Sequence, residues 1–304
     1  MKQKTIRRLS NGETVDLSKL SERKLKRLHY EEEKFAAEKL LGMKPFSKER
    51  MKFMQKGYEL ANAVLPWYLP EARVSYGAND KTVNLTCSLI RTSGETKLLY
   101  EAGVGMGFSC KQFVRLPNIK IKGCDIVVGE NVKQLMQEYD NLSVDEDSLY
   151  NSLKKIKDGS IDYFYADNVF EHLLPDEYSG ILKLLSRKMK KGGILVLIIP
   201  NRLIGPGDVS KFFVEQGKPA EGFHFMEMAY RDVLTKYKKY GFVSRFFIWR
   251  DKSNNIKYKK DRCGILNLIK ICIEFLLSIC IKDQDYKIKM FYKYALECYI
   301  LMKK

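Results

Sequence analysis

An α/β fold, a doubly wound and mostly parallel sheet with helices on both faces, is what this chain predicts, and three observations carry the expectation. From residue 97 onward, short apolar runs of buried-strand length recur: KLLYEAGVG, IKIKGCDIV, SIDYFYADNVF, GGILVLIIPN and GFVSRFFIW. Helical stretches separate these runs, and strands alternating with helices are the mark of parallel strands joined by crossovers. The 304 residues, 45% hydrophobic and 30% charged with 16 Phe and 18 Tyr, are enough to fill the core of one or two domains. The same composition excludes disorder, a collagen-like repeat and a mini-protein held by disulfides.

Residues 17–65 set apolar side chains at helical spacing among alternating charges: Leu25, Leu28 and Phe35, then Met51, Met54, Tyr58, Ala61 and Leu65. Two or three amphipathic helices are expected there, ended by the prolines of LPWYLP, Leu65 to Pro70. The expected organisation is an N-terminal helical cap over 1–70 and a main domain over 71–304 that carries a helical insertion at 252–290. Within that insertion GILNLIKICIEFLLSICI, residues 264–281, approaches the length of a membrane span. Asn267, Lys270, Glu274 and Ser278, however, recur at spacings of three and four and draw a polar stripe along an otherwise apolar helix. That pattern suits a buried helix or a homodimer face, and also an interfacial helix on a membrane surface. YKYALECYILMKK reads as one last strand.

The net charge of +17 sits at the ends: residues 1–60 hold 16 Lys/Arg against 9 Asp/Glu, residues 250–304 hold 13 against 6, and the middle is close to neutral. Basic ends suit the phosphates of nucleic acid, an anionic membrane surface or an anionic substrate, and equally a surface that simply favours lysine. The 7 cysteines are odd in number and form no C-x-x-C pair, so they read as free thiols. The basic start MKQKTIRRLS has no apolar run behind it to make a secretory signal, and a reducing, cytoplasmic setting is expected.

The most informative residues are Glu101-Ala-Gly103-Val-Gly105-Met-Gly107, directly after the run KLLY and before the helical stretch FSCKQFV. Glycines at the carboxyl end of a strand let backbone approach a ligand, and that is where doubly wound sheets bind cofactors. A dinucleotide fingerprint G-x-G-x-x-G would need its third glycine where Phe108 stands, and no P-loop is present. An acidic residue ahead of the glycines opposes a pyrophosphate and suits a cationic ligand. The glycines also satisfy the plainer requirement of a tight turn.

This E-x-G-x-G-x-G pattern resembles the first motif of the class I S-adenosylmethionine-dependent methyltransferases, and the likeness continues over roughly residues 95–250 and the last strand. It implies a seven-stranded sheet, S-adenosyl-L-methionine as cofactor and S-adenosyl-L-homocysteine as product, held by Glu101, Gly103, Gly105 and Gly107. Asp125 matches the acidic residue that holds the ribose hydroxyls, a task for an acceptor of two hydrogen bonds. Asp145 matches the residue that bonds the adenine amino group, with Asp147 as a substitute and Leu149 packing on the ring. SIDYFYADNVFEHL resembles the fourth motif and places Asp167 and Asn168 beside the sulfonium. Plainer roles stay open: Asp125 suits a helix N-cap, Asp145 a surface loop, and His172 a residue bonded to backbone.

Methyl transfer from a sulfonium is an in-line displacement that needs alignment and desolvation, with a base only for a poor nucleophile such as a hydroxyl. His224, His172 and Glu171 are the candidates for that base, His29 in the cap is not, and no metal is called for. The fourth motif reads ADNV where adenine N6 methylases carry an Asp/Asn-Pro-Pro-aromatic tetrad, and no Cys follows a proline as cytosine C5 methylation prefers. Nucleic acid is therefore the less favoured partner. The EHL ending and the His224 loop look most like enzymes that methylate small molecules, sugars and surface glycans. O-methylation of a small-molecule or carbohydrate acceptor is the expectation, anionic if the basic ends serve it. The alternatives are an RNA-directed methyltransferase and a non-catalytic cofactor-binding protein recruited through 264–281.

Overall fold

The computed structural model describes residues 6–10, 12–69, 80–91, 94–261, 263–281 and 283–304. The expected boundary at 70/71 lies outside the described residues. The chain opens with a small hairpin, β1 (Ile6–Arg8) against β2 (Thr14–Asp16), which the expectation of a purely helical start did not include. Two long helices follow, α1 (Glu22–Leu41) and α2 (Lys48–Tyr68), each begun by a serine, Ser21 and Ser47, whose side chain accepts from a backbone N–H of the first turn. Pro66 lies inside the last turn of α2, so the helix ends at Tyr68, after the first proline of LPWYLP and not at it. Phe35 faces outward, while Leu25 and Ala61 are buried between the helices and their neighbours.

After α3 (Asp80–Leu89) the alternation begins: β3 (Lys97–Ala102), α4 (Phe108–Phe113), β4 (Ile119–Asp125), α5 (Glu130–Glu138), β5 (Leu142–Glu146), α6 (Leu149–Lys154), β6 (Ile161–Asp167), α7 (Pro175–Lys188) and β7 (Met189–Ile198). Then come α8 (Tyr230–Lys238), β8 (Phe242–Ser244), β9 (Phe246–Arg250), β10 (Ile256–Lys260), α9 (Ile265–Ile279), α10 (Gln284–Lys293) and β11 (Cys298–Lys303). The sheet has seven strands in the order β5-β4-β3-β6-β7-β11-β8. The first five are parallel, and β11 enters antiparallel between β7 and β8. The expected doubly wound, mostly parallel seven-stranded sheet is the one observed.

Period-two alternation divides each central strand between two cores. Tyr100, Phe164, Ala166, Leu195 and Leu197 face a layer containing Leu153, Tyr178, Leu182 and Tyr230. Leu99, Tyr163, Tyr165, Val196 and Ile198 face the opposite layer, with Val83, Phe113 and Val132. A strand buried on both faces has no polar side to show, which is why these runs read as continuous apolar sequence.

Two expectations about the C-terminal part are corrected. GFVSRFFIW is not one strand: Phe242–Ser244 stays in the main sheet, while Phe246–Arg250 leaves it to pair with Ile256–Lys260. The insertion at 252–290 is therefore a strand followed by two helices and not purely helical. Helix α9 is also turned inside out. Its polar stripe is the buried side, with Asn267, Lys270 and Glu274 at 4%, 0% and 4% exposure, while Ile265, Leu268, Phe275 and Ile279 stand about 60% exposed. No helix among the described residues is long and apolar enough to cross a membrane.

The two N-terminal helices are clamped to the sheet domain by Arg50, which is 2% exposed. Its Nε and one terminal nitrogen donate to the Leu40 carbonyl at 2.9 and 2.7 Å, closing the α1–α2 turn. The guanidinium also donates to Asp176 at 3.0 Å and Glu177 at 2.8 Å, at the start of α7. A planar fork of fixed donors meets the carbonyl and both carboxylates together, which an ammonium cannot do. Arg50→Ala is expected to lower the free energy of unfolding by about 2 kcal/mol in urea titrations, because it removes a buried donor from the Leu40 carbonyl and Glu177, each of which keeps one backbone N–H, and from the half-exposed Asp176.

Candidate functional site

The sheet order reverses beside β3: the chain moves outward through β4 and β5, then returns to β6 on the other side. Loops leaving β3 and β6 diverge there and open a crevice at the strands' carboxyl ends. Gly103, Gly105 and Gly107 leave β3 with φ of 68°, 52° and 79°, backbone that side chains with a Cβ seldom adopt. A Cβ on Gly103 would stand 2.4 Å from the Val169 side chain, so that glycine lets the turn after β6 pack against the turn after β3. At Gly105 the missing Cβ points into open space. The bend is thus tight on its inner side and open on its outer side, the shape of a cradle for a ligand.

Carboxylates ring the cradle. Glu101 is 1% exposed and turned beneath the bend, where Ser109 Oγ and Cys110 Sγ donate to it and so fix the first turn of α4. Burial raises its pKa to about 7 against those two hydrogen bonds. Asp125, at the end of β4, accepts from the Gly105 N–H at 2.8 Å and the Val127 N–H at 3.2 Å. It therefore shapes the glycine bend while its remaining lone pairs stay open to a ligand. Burial raises its pKa, opposed by those backbone donors. Asp145 accepts from Ser152 Oγ at 2.6 Å and Asp147 from Asn151 Nδ2 at 2.9 Å, and both face Lys155 Nζ, at 3.4 and 3.5 Å. Leu149 begins α6 and is 7% exposed, packed in the core with Leu153 and Ile156. Asp167, at the tip of β6, accepts from Thr82 Oγ1 at 2.8 Å, Tyr165 Oη at 3.0 Å and Asn168 Nδ2 at 3.0 Å. Asn168 itself takes the left-handed backbone, φ 54°.

The fit to a nucleoside carrying a cationic sulfur is tested by this geometry: an open cradle at Gly105, a carboxylate beside it at Asp125, and negative groups at Asp167 and Glu101. Sequence reasoning missed Thr82 and Tyr165, which orient Asp167, and Gln55 on α2, which donates to the Ile126 carbonyl at 2.6 Å beside Asp125. Tyr165 lies in the SIDYFYADNVF run on the same strand as Asp167, while Thr82 and Gln55 lie in no motif and are brought near by the packing of α3 and α2.

A second cluster lies beyond β6. The 3₁₀ turn Phe170–His172 carries Glu171 and His172, and the loop after β7 brings His224 against them. The two imidazole rings meet edge to face, 4.6 Å between centroids. His172 Nδ1 donates to the Phe223 carbonyl at 3.1 Å, which leaves Nε2 with its lone pair. His224 Nδ1 donates to Glu227 at 2.6 Å, and Glu227 also accepts from Gly207 N–H. Glu171 is fully buried and both its carboxyl oxygens lack a hydrogen-bond partner among the described residues. From α2, Tyr58 stacks on Phe223 at 4.9 Å and stands 5.7 Å from His172. Gly57 makes that contact possible, since a Cβ there would meet the Phe223 ring at 2.6 Å. Glu227 and Phe223 were also missed; Glu227 sits three residues after His224, a spacing that sequence alone shows.

Environment divides the three titratable groups. Burial, together with the nearby His224, holds His172 well below the ordinary 6.5. Burial pulls His224 in the same direction, but Glu227, Glu171 and Asp208 overcome it and raise its pKa to about 9. Burial pushes Glu171 up to about 8. At neutral pH the cluster is a neutral His172, a cationic His224 and a protonated Glu171. One ligand atom from each of these residues lies within 4.8 Å of the others, near enough for a metal ion. His224 as an imidazolium, however, has no lone pair to offer one, and a cation would first have to displace its proton. His29 is buried at 4% exposure between Tyr68 and Glu33, 2.6 and 2.7 Å away, within the cap.

Residues 100–197 match the family model of the methyltransferase domain. Similar solved structures include 1,6-didemethyltoxoflavin-N1-methyltransferase of Burkholderia thailandensis, 12% identical, spanning 71% of this chain and 89% of that one with a TM-score of 0.49. A SAM-dependent methyltransferase of Archaeoglobus fulgidus is 17% identical over 78% of this chain and 99% of its own, TM-score 0.48. Geranyl diphosphate C-methyltransferase of Streptomyces coelicolor A3(2) is 14% identical over 87% and 86%, TM-score 0.44. No curated protein matches the chain.

The shifted groups set a pH dependence of stability. Between pH 6.5 and 8 the folded chain keeps protons on His224 and Glu171 that the unfolded chain, with ordinary values of 6.5 and 4.5, has released. Stability must therefore fall as pH rises through this window. The opposing case, His172 kept neutral, acts below 6.5, and Lys270, lowered by burial to about 8, acts above it. The expected result is a Tm that declines from pH 6.5 to 8 and a shallower decline in Glu171→Gln, both read by calorimetry.

Proposed function

From the match of residues 100–197 to a methyltransferase domain, we propose that this chain is a class I S-adenosylmethionine-dependent enzyme that methylates a hydroxyl of a small-molecule or carbohydrate acceptor, with His172 as the base. One observation carries the reading: His172 is kept neutral, with Nδ1 spent on a backbone carbonyl and Nε2 free, beside the tip of β6 and under Tyr58. A hydroxyl needs a proton acceptor at the moment of transfer and an amine does not, so a tuned imidazole at this place favours oxygen.

S-adenosyl-L-methionine, when bound, would supply an electrophilic methyl on a sulfonium, with S-adenosyl-L-homocysteine as the product. The chain's part is to hold and orient. The Gly103–Gly107 bend would receive the nucleoside, Asp125 would accept from its ribose hydroxyls, and Asp145 or Asp147 would accept from the adenine amino group, with Leu149 at the ring. Asp167 and Asn168 would lie on the sulfonium side, and Glu101, buried under the bend, would regain its charge beside a cation. On the acceptor side His172 takes the hydroxyl proton. His224 is a positioning residue whose charge adds to burial in keeping His172 unprotonated, and Glu171, its pKa raised by burial, has no side-chain hydrogen-bond partner among the described residues. The basic surface favours an anionic acceptor.

Two sets of variants test the reading. Asp125→Ala should weaken S-adenosylmethionine binding by about 1.5–3 kcal/mol, the range for hydrogen bonds to a charged group. Gly105→Ala should weaken it at least as much at a stability cost near ~1 kcal/mol, the strain of a left-handed alanine, because its methyl enters the cradle. Unchanged calorimetric affinity in both would move the cofactor elsewhere. With labelled cofactor and a panel of sugar nucleotides, glycans, small phenols and RNA, turnover should appear on a hydroxyl acceptor and fall roughly 10²- to 10⁴-fold in His172→Ala. His224→Gln should instead move the acid limb of the kcat profile upward toward the ordinary 6.5. Turnover on RNA alone, or cofactor binding without turnover on any acceptor, would overturn the proposal.

A further inference from the structure

Helix α9 presents its apolar face outward because its polar face is fully engaged. Glu274 accepts from the backbone N–H groups of Tyr230 and Arg231, at 2.6 and 3.2 Å, and so caps the start of α8. It also accepts from Asn201 Nδ2 at 2.7 Å. Lys270 Nζ donates to the Ala295 carbonyl at 3.0 Å and lies 4.4 Å from the centre of the Tyr230 ring. Asn267 accepts from Tyr230 Oη at 2.6 Å and donates to Asp261 at 2.8 Å. Rotating the helix to bury its apolar side would strip all of these partners from buried polar groups, so the orientation is imposed by the fold. What remains outside is Ile265, Leu268, Ile269, Phe275, Leu276 and Ile279, between 45% and 61% exposed. Isolated exposed apolar residues are ordinary; a contiguous stripe along a whole helix is not.

The surroundings identify what covers it. On β9, Phe247 and Trp249 stack at 5.7 Å on one face of the hairpin, opposite Lys259 and Lys257 of β10. With Leu266 of α9 and Tyr294 they line an open groove of about 360 Å³ rimmed by Lys259, Lys293 and Arg250. An apolar stripe beside Trp, Tyr and lysine is the set of groups that a bilayer interface takes: acyl chains, the polar boundary and headgroup charge. Of the acidic groups nearby, Asp283 caps α10 and Asp285 stands exposed in its first turn, while four others are committed elsewhere. Asp251 pairs with Lys257, Glu297 with Arg250, Asp261 caps α9 and Glu274 caps α8. Lys259, Lys260, Lys289 and Lys293 make no ion pair among the described residues. A second copy of the chain would set this cationic rim against itself, and like charges brought together cost binding energy. At 15 residues α9 is about 22 Å long, short of the roughly 30 Å hydrocarbon core, so it can lie in a membrane surface but not cross it.

We propose that α9 and the β9–β10 hairpin form a docking surface for an anionic lipid bilayer, with α9 lying in the plane of the interface. This holds the enzyme at a membrane face, and it does not rest on the identity of the acceptor.

The test is co-sedimentation of the full chain with vesicles of phosphatidylcholine, with and without phosphatidylglycerol. Binding is expected to the anionic vesicles and to weaken with added salt. Lys259→Glu with Lys293→Glu should reduce it by about fivefold or more per lysine, the contribution of one such charge near an anionic surface. Leu268→Glu with Phe275→Glu should abolish it. All four positions are exposed or rim positions outside the cofactor site, so calorimetric S-adenosylmethionine affinity and Tm should stay unchanged, which separates loss of docking from loss of folding. Failure to sediment with either vesicle would overturn the proposal. So would a concentration-dependent dimer in analytical ultracentrifugation that the same leucine and phenylalanine changes dissolve, because the face would then belong to a second copy.

Discussion

The bend after β3 runs through three glycines at positive φ, one of them with no room for a Cβ, and the rest of the site depends on that constraint. At Gly103 the turn after β6 comes so close that a methyl would meet Val169 at 2.4 Å. Across the sheet, Gly123 on β4 allows the same closeness, since its Cβ would lie 2.8 Å from the Glu101 carbonyl. Three loops are thereby drawn together at the strand ends. Glu101 under the bend, Asp125 bonded to its Gly105 N–H, and Asp167 across the crevice then face one small volume. Charges gathered in this way raise one another's proton affinity in the absence of a cation, and a cationic ligand relieves that repulsion. The cradle is thus shaped by steric omission and selected by charge.

The acceptor side works by a different division. Glu171, His172 and His224 are crowded into one desolvated space, yet they are driven to different protonation states by their second partners: a carbonyl for His172, a carboxylate for His224, none for Glu171. Environments that push neighbouring groups apart in pKa are how a site assigns acid and base roles at one pH. The N-terminal helices complete this side. Tyr58 on α2 packs on Phe223, whose carbonyl holds His172, and Arg50 fixes α2 against α7. A packing contact in the cap therefore reaches the proposed base through one residue.

The C-terminal insertion joins this loop system to the surface. Glu274 binds Asn201 in the loop after β7 and the start of α8, so the outward helix and the acceptor loop share one buried carboxylate. The physical cost of turning an apolar face to solvent is offset inside the protein by satisfied polar groups.

Much of this was legible in the residues alone. Continuous apolar runs placed the strands, because a strand buried on both faces can carry nothing else, and the E-x-G-x-G-x-G spacing located the cradle, because positive φ at close approach admits glycine only. The places of Asp125 and Asp167 at the ends of their strands were legible too, whereas the roles expected of them came from the family resemblance. Thr82 and Gln55 were not legible, since hydrogen-bond partners contributed from other elements leave no periodic trace, while Tyr165 and Glu227 stood within reach of sequence reasoning, two residues before Asp167 and three after His224. The clearest limit is α9. Its polar stripe is written in the spacing of Asn267, Lys270 and Glu274, but the spacing has no sign: it says that two faces differ and not which one is inside. The partners that decide it, Tyr230, Asn201, Asp261 and Ala295, come from distant parts of the chain, and only the folded molecule brings them to that stripe.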